Sequence, residues 1–277
     1  VYNLANTVSG YTNTGHAVMA SNGCCTGDYN LANSEYSPMT TVISAIASRS
    51  FDNDVDVTFG YSYTNANDVH PMASSVAYTN ANENLVTTNP NDPQPARSDW
   101  EIEHRFTTTV NFAASEKTDI SLFFQYESGN PYSLSAYGGW TELGIQPGWR
   151  TGDFPSIPLY IGDNATYEVS AAALRNMKPG LYERNAFESD SSTRLDMKLT
   201  HSLMDNLDLY MVVRNLGNLI NGNNGAYKRS SSANGIVTAD FDSDGNVSYS
   251  DYNAPAVNAV IGSASIWNVK LGFKYSY

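Results

Sequence analysis

Near the carboxyl-terminal end of the chain, acidic residues recur at every second position of a short polar segment. Asp240, Asp242 and Asp244 are followed by Gly245, and another acid ends the segment at its twelfth position. In calcium-binding loops, oxygens at positions 1, 3 and 5 surround the ion, a glycine at position 6 allows the sharp turn, and positions 7 and 12 add a carbonyl and a carboxylate. The spacing therefore predicts a Ca²⁺ site formed by Asp240, Asp242, Asp244, Asn246 and Asp251.

The predicted site departs from the usual loop in one respect. Asp251 replaces the bidentate glutamate of position 12, so we expect a site that is looser or merely lower in affinity. Flanking helices are not evident, which favours an isolated calcium loop over an EF-hand pair. The ion would be structural and would order a loop that otherwise lacks a core. The alternative is a solvated acidic turn.

The elements that must position this segment are strands, because large apolar residues alternate with polar ones. A period of two gives a strand with two unlike faces. The terminal strand alternates from Trp267 to Tyr277. Five more strands show a clear phase, namely 55–64, 106–112, 120–127, 193–200 and 207–214. A seventh, Thr40 to Phe51, has no clear register: Val42 and Ile46 favour one phase, and Ile43 and Ala45 favour the other.

Two regularities of these strands favour a membrane wall. On the six strands of clear phase, the apolar face carries no charged residue, as lipid contact demands. The connections alternate between three or four residues and roughly forty to sixty, which is typical of outer-membrane barrels with short periplasmic turns and long extracellular loops. We read residues 1–38, 65–103, 129–190 and 217–262 as these long connections, with a short helix from Ser170 to Met177. A soluble secreted β-sandwich would share the alternation and is the competing fold.

Other patterns complete the predicted wall. Tyr61, Tyr63, Tyr126 and Trp267 would form an outer aromatic girdle, and Tyr275 and Tyr277 an inner one. We expect the charged residues of the polar face to form a salt-bridge network or to contact a plug, namely Asp196, Lys198, Asp208 and Arg214.

Composition limits the function classes. The 277 residues carry a net charge of −13, which argues against nucleic acid as a partner. Neither an initiating Met nor a signal peptide is present, and seven strands do not close a bacterial barrel of even strand number. We therefore expect residues 1–277 to be the carboxyl-terminal portion of a larger β-barrel. Cys24 and Cys25 are adjacent, and their pairing stays open.

Several ordered motifs resemble those of a known family, the Oar-like TonB-dependent outer-membrane transporters. The motifs span about residues 40–277 and run in the family's order: Tyr61-Ser62-Tyr63-Thr64 with Ala66-Asn67-Asp68, Asn91-Asp92-Pro93, Ala96-Arg97-Ser98-Asp99, His104-Arg105, Tyr126-Glu127-Ser128-Gly129-Asn130-Pro131-Tyr132-Ser133, Glu183-Arg184-Asn185, Arg194-Leu195-Asp196 and Asn215-Leu216-Gly217-Asn218-Leu219-Ile220-Asn221.

The resemblance implies a 22-stranded barrel in the outer membrane of a Gram-negative cell, filled by an amino-terminal plug that contacts TonB. Plug and TonB-contacting segment are not in this sequence. We expect a non-enzymatic transporter that binds cargo with long extracellular loops, with lipid and lipopolysaccharide around it. A non-transporting, calcium-stabilised surface barrel for adhesion or assembly is the alternative. An omptin-like protease site would need His70 or His104 at the outer rim, and the sequence supplies no partners for them.

Overall fold

The computed structural model describes residues 2–4, 8–19, 29–71, 74–77, 80, 85–86, 89, 91–138, 149–151, 154–231 and 233–277. In chain order the strands are β1 (Tyr2–Leu4), β2 (Val8–Tyr11), β3 (Ala17–Met19), β4 (Tyr29–Leu31), β5 (Met39–Phe51), β6 (Val55–Asp68), β7 (Ala96–Arg97), β8 (His104–Ser115), β9 (Thr118–Glu127), β10 (Pro131–Gly138), β11 (Trp149–Thr151), β12 (Phe154–Pro158), β13 (Tyr160–Ile161), β14 (Ala165–Tyr167), β15 (Gly180–Leu181), β16 (Phe187–Glu188), β17 (Ser192–Met204), β18 (Leu207–Arg214), β19 (Lys228–Arg229), β20 (Ala233–Phe241), β21 (Val247–Ser250), β22 (Ala259–Val260) and β23 (Asn268–Tyr275). A 3₁₀ helix spans Val169–Asn176, and the short helices are α1 (Leu216–Ile220) and α2 (Gly262–Ser265).

The long strands form one antiparallel sheet, the main sheet, in the order β5, β6, β8, β9, β17, β18, β23. Spatial order follows chain order, so each strand pairs with its predecessor, and the short β7 pairs with the carboxyl-terminal end of β6. Tight turns after Phe51, Ser115 and Met204 lie at one end, the turn end, and the long connections lie at the other, the loop end. All seven predicted strands are confirmed, and the mainly antiparallel all-β class is confirmed with them.

The registers of the main sheet place the predicted apolar residues on one continuous face. One row runs across five strands through Val57, Val110, Leu122, Met197 and Val213. The next residue of each strand points to the opposite, polar face, because the side-chain period is two. The phases assigned to the six clear strands are confirmed, and so is the absence of charge on their apolar face.

The apolar face of the main sheet is not packed against a protein core. Among its side chains only Val213 is buried, at 3 % exposure, whereas Leu209 is 42 % and Phe273 71 % exposed. Half-solvated antiparallel sheets bury one face on a core, and fully burying a leucine or phenylalanine side chain stabilises a protein by about 1.5–3 kcal/mol. The described residues offer this face no such cover.

Strand β5 departs from the segregation seen on the other six. Its pairing with β6 puts Ile43 and Ala45 on the apolar face, opposite Tyr63 and Tyr61, and turns Ile46 to the polar face. The same register places Arg49 on the apolar face near the turn end, with its guanidinium 4.8 Å from the Phe51 ring centroid. A long cationic side chain at such a position can reach polar surroundings beyond the strand end.

The connections at the loop end are more structured than the sequence suggested. Parts of 129–190 and 217–262 build a second sheet, the cap sheet, in the order β11, β12, β10, β20, β21, β14, with β16 beside β10. Strands β10 and β20 pair in parallel although about a hundred residues separate them. Residues 1–38 contribute the pairs β1–β4 and β2–β3. Reading these segments as loops was wrong, whereas the short helix is confirmed as the 3₁₀ helix.

The hydrophobic core of the chain lies in the cap sheet. Its largest fully buried members are Tyr249, Ile157, Leu159 and Ile236. The Tyr249 hydroxyl accepts the Tyr160 backbone N–H at 3.1 Å, so the one polar atom of that ring is satisfied. The expectation that the segment containing residues 240–251 lacks a core was therefore wrong, because Val247 and Tyr249 belong to it.

His16 joins the amino-terminal hairpin to the cap sheet and makes its stability pH-dependent. Its Nε2 donates to the Pro158 carbonyl and its Nδ1 accepts from Thr14, both at 2.8 Å. Burial lowers the pKa of His16 to about 4. Because the unfolded chain binds the proton more readily, the stability from neutral His16 is complete above about pH 6.5 and is lost as the pH falls toward 4.

We expect this loss to reach about 2 kcal/mol at pH 5 relative to pH 7. Amide hydrogen exchange in the cap sheet measures it. His16→Gln should flatten the pH dependence of the opening free energy over that range. An unchanged slope in the variant would assign the effect to another group.

Candidate functional sites

The apolar face carries a rim of aromatic rings near the loop end. Phe106 lies between the rings of Tyr61 and Tyr126, with centroid distances of 4.7 and 5.7 Å. His104 joins this group, because the Tyr61 hydroxyl is 3.0 Å from its Nδ1 and the Tyr63 ring is 5.5 Å away. The sequence placed Tyr61, Tyr63 and Tyr126 together, and the structure confirms that grouping and adds His104 and Phe106. Amphipathic rings of this kind prefer the boundary between apolar and aqueous phases.

The other girdle residues lie on or beside the edge strand β23. Trp267 precedes its loop end, and Tyr275 and Tyr277 lie at the turn end, with Tyr275 57 % exposed. Aromatic residues thus flank β23 at both ends.

The predicted calcium segment folds as a β-hairpin between β20 and β21. Asp240 pairs with Ser248 and Phe241 with Val247, and the turn between them is closed by the Gly245 N–H donating to the Asp242 carbonyl. Gly245 has a φ of 79°, a conformation that glycine adopts without strain. The expected sharp turn at Gly245 is confirmed.

The Asp242 carboxylate is already engaged inside this turn. Its Oδ1 accepts the backbone N–H groups of Asp244 and Asn246 at 3.0 and 2.8 Å, and its Oδ2 accepts the Asn246 side-chain amide at 2.9 Å. These hydrogen bonds, from Asn246 above all, lower the pKa of Asp242.

The fifth predicted ligand lies elsewhere. Asp251 follows the pair formed by Thr238 and Ser250, four residues beyond Val247, so about 13 Å of strand separates it from the turn. The hairpin brings Asp242, Asp244 and Asn246 to one turn, with Asp240 beside it, and leaves Asp251 at the opposite end. Throughout the described ranges, no three His, Cys, Asp or Glu side chains lie close enough together to hold a metal ion.

A neighbouring acid was missed by the sequence reasoning. A depression of about 480 Å³ beside the turn is lined by Asp242 and Asn246 and, from the segment before β14, by Asp163 and Asn164. The Val247 N–H donates to the Asn164 carbonyl, which fixes the two segments side by side. The parallel pairing of β14 with β21, which causes this approach, leaves no local signal in the sequence.

A buried cation joins the cap sheet to the main sheet. Arg184 is 6 % exposed, and its Nη2 donates to the Asp68 carboxylate at 2.5 Å and to the Asp68 carbonyl at 2.9 Å. Its Nη1 is 3.7 Å from Asp99 and has no hydrogen-bond partner among the residues that the structure describes. Next to it, Asn185 adopts a φ of 59° and donates to the Arg97 carbonyl and to Asp99. Arg97 in turn pairs with Glu101 and with Glu188.

The motifs that carry the family resemblance meet at this junction. Asp68, the Arg97–Asp99 segment and the Arg184–Asn185 pair form the network just described. Asn130 is buried nearby, where its Oδ1 accepts from Ser230 N–H and the Ser189 hydroxyl at 3.0 and 2.9 Å. These motif residues hold the connections of the strands in place.

The Asn215 motif has the same kind of role at the end of β18. Asn215 has a φ of 53°, and its side-chain amide donates to the carbonyls of Gly225 and Ser265 at 2.8 and 2.6 Å. Gly225 leaves the space that Asn215 fills, since a Cβ there would lie 1.9 Å from the Asn215 Oδ1.

The polar face carries ion pairs in a different arrangement from the expected network. Asp196 pairs with Arg194 at 3.2 Å and accepts the Asn215 N–H at 2.9 Å. Among described residues, Lys198 and Arg214 form no ion pair with Asp196 or Asp208. The expected salt-bridge network was therefore wrong, and contact with a plug stays a prediction. A cavity of about 270 Å³ opens on this face at the loop end, lined among others by Gln125, Glu127, Arg194 and Tyr227.

The chain was compared with family models, curated proteins and solved structures. None of the three comparisons found a match. The residues of the chain therefore carry the functional argument.

The histidines and cysteines considered in the sequence analysis do not form a common site in the described residues. His104 belongs to the aromatic rim, and His70 is buried near Arg184, where burial lowers its pKa to about 4. Cys24 and Cys25 lie outside the described residues. No helix in the described ranges is long and apolar enough to span a membrane.

Proposed function

We propose that this chain forms part of the wall of an outer-membrane β-barrel, with the apolar face of the main sheet against lipid. The observation that carries the proposal is a single-layer sheet with one uncovered face, on which six of the seven strands present large apolar side chains and no charge. A charged side chain on a lipid-facing strand costs about 2–4 kcal/mol at the bilayer midplane, which accounts for the absence of charge on six strands. The cap sheet would then lie outside the cell and the tight turns in the periplasm.

The two edges of the main sheet support a larger barrel. Strands β5 and β23 do not pair with each other, and their outer edges have no strand partner in the described part of the chain. Each unsatisfied backbone group in lipid costs several kcal/mol, so further strands must pair with both edges. We infer that they belong to the same polypeptide, as in the 22-stranded type that the motifs resemble.

The transporter function rests on that resemblance. In this proposal, cargo first contacts the loop end, and a plug supplied by the rest of the polypeptide closes the bore. The reading frame that encodes the chain tests the proposal: a plug and a TonB-contacting segment ahead of residue 1 support transport. A reading frame that lacks both would contradict it.

A second candidate is a non-transporting surface barrel for adhesion or assembly. The observation that favours it is the core of the cap sheet, since a folded β-unit at the loop end offers a rigid surface for binding. The same reading frame distinguishes the candidates, because this function needs no plug.

Calcium binding stays a prediction of residues 240–251. To bind the ion, the Asp242 carboxylate would have to give up hydrogen bonds within the turn. Another group would have to take the ligand position predicted for Asp251. We expect Ca²⁺ at a hundred times its dissociation constant to stabilise the cap sheet by about 2.7 kcal/mol. Thermal melting with calcium or a chelator measures this, with Asp244→Asn as the test variant and Asp205→Asn, in a turn of the main sheet, as control. The same melting temperature with calcium and with the chelator would refute the prediction.

A further inference from the structure

Basic side chains are concentrated on the polar face of the last three main-sheet strands. The chain has 15 lysines and arginines in total. Five of them, all exposed, lie on this face and are here called the basic band: Arg194, Lys198, Arg214, Lys270 and Lys274.

The carboxylates on the same strands do not neutralise the band. Asp196 is engaged by Arg194 and by the Asn215 N–H, and Asp208 accepts the Ser202 hydroxyl at 2.7 Å. Lys198, Arg214, Lys270 and Lys274 form no ion pair with any described residue. Five cations and two carboxylates leave a net charge of +3 on this surface, in a chain whose net charge is −13.

The spacing of the band is set by the strand registers. Lys198 and Lys270 both pair with Val212, from either side, so roughly 10 Å separates their backbones. Arg214 lies two residues after Val212 on β18, and about 7 Å separates the backbones of these two residues. These separations are close to one Debye length at physiological salt, so the like charges repel one another weakly there and more strongly at lower salt. An acidic partner would relieve that repulsion.

We propose that the basic band is a docking surface for an acidic segment of polypeptide. An extended segment presents side chains on one side about every 7 Å, which matches the rows of the band. Lipid head groups are excluded because the opposite face contacts the bilayer, a point that rests on the proposed function. An oligonucleotide carries the same sign of charge, and the test below includes one as a competing ligand.

Fluorescence anisotropy with a labelled oligoglutamate peptide and the full 277-residue chain in detergent micelles tests the proposal. We expect saturable binding that weakens as salt rises. Lys198→Gln with Lys270→Gln should raise the dissociation constant about tenfold, whereas Lys198→Arg with Lys270→Arg should retain the affinity. The matched control is Lys117→Gln with Lys178→Gln, two exposed lysines outside the band, and it should bind like the parent chain.

Two results would overturn the proposal. One is equal loss of affinity in the band and control variants, and the other is tighter binding of an oligothymidylate of the same charge. The assay does not depend on a bilayer. A chain that bound oligoglutamate through the band but stayed in solution without detergent would contradict the membrane proposal and support the docking surface.

Discussion

Val110→Arg is expected to destabilise the chain in lipid vesicles by about 2–4 kcal/mol. Val110 lies in the middle of β8 on the apolar face, between Val57 and Leu122 of the neighbouring strands. A guanidinium at that depth is too far from either end of the strand to reach water at low cost. Urea titration of the folded chain in vesicles measures the difference in free energy of unfolding.

Thr109→Arg is the matched control for this prediction. Thr109 is the preceding residue on the same strand, faces the opposite side and pairs with Thr58 and Phe123. It receives the same side chain at the same depth, and we expect a change within about 0.5 kcal/mol. Equal losses at the two positions would mean that the faces do not differ in their surroundings.

Arg184→Leu is expected to loosen the junction between the cap sheet and the main sheet by about 3 kcal/mol. The substitution removes the cation shared by Asp68 and Asp99 and leaves both partly buried carboxylates without it. Losing one member of a buried ion pair costs more than the pair itself contributes. Hydrogen exchange at buried cap-sheet amides, such as those of Ala136 and Val237, reports the change.

Two further variants distinguish loss of the ion pair from a nonspecific effect of replacing an arginine by leucine. Arg229→Leu makes the same change at an exposed arginine, and we expect a change within about 0.5 kcal/mol. Combining Arg184→Leu with Asp68→Asn should recover part of the loss, because the abandoned charge is then removed. If the double variant is as unstable as the sum of the single ones, the two residues are not coupled.

The strands of the main sheet could be predicted from the sequence because each one is marked by a local pattern of alternating apolar and polar residues. The strands of clear phase alternate over seven residues or more, and three of the six neighbouring pairs are joined by a tight turn such as Asp52-Asn53-Asp54. The phase of β5 was the exception. Val42 and Ile46 compete with Ile43 and Ala45, and only the pairing with β6 decides which of them shares a face with Tyr61.

The cap sheet could not be read because its central pairing is remote and strand β10 lacks alternation. Strand β10 buries small polar residues, Ser133 and Ser135, among apolar ones, so its pattern is not that of a half-exposed strand. Its partner β20 arrives about a hundred residues later. Local propensity carries no signal for such a contact.

The calcium segment shows two patterns in competition within one sequence. The spacing of its acids fits an ion-binding loop, whereas Val247-Ser248-Tyr249-Ser250 alternates like a strand. The alternation prevails because Val247 and Tyr249 enter the core of the cap sheet. That choice carries Asp251 away from Asp242, and it could have been suspected from the apolar residues inside the acidic run.

The most direct measurement of the central claim is the accessibility of spin labels along β9. Labels at residues 120 to 125, introduced one at a time with Cys24 and Cys25 replaced by serine, would be exposed to oxygen, which concentrates in hydrocarbon, and to a water-soluble nickel chelate. The account predicts that oxygen accessibility peaks at Ile120, Leu122 and Phe124 and chelate accessibility at the residues between them. Uniform accessibility to the chelate at all six positions, or alternation in the opposite phase, would contradict it.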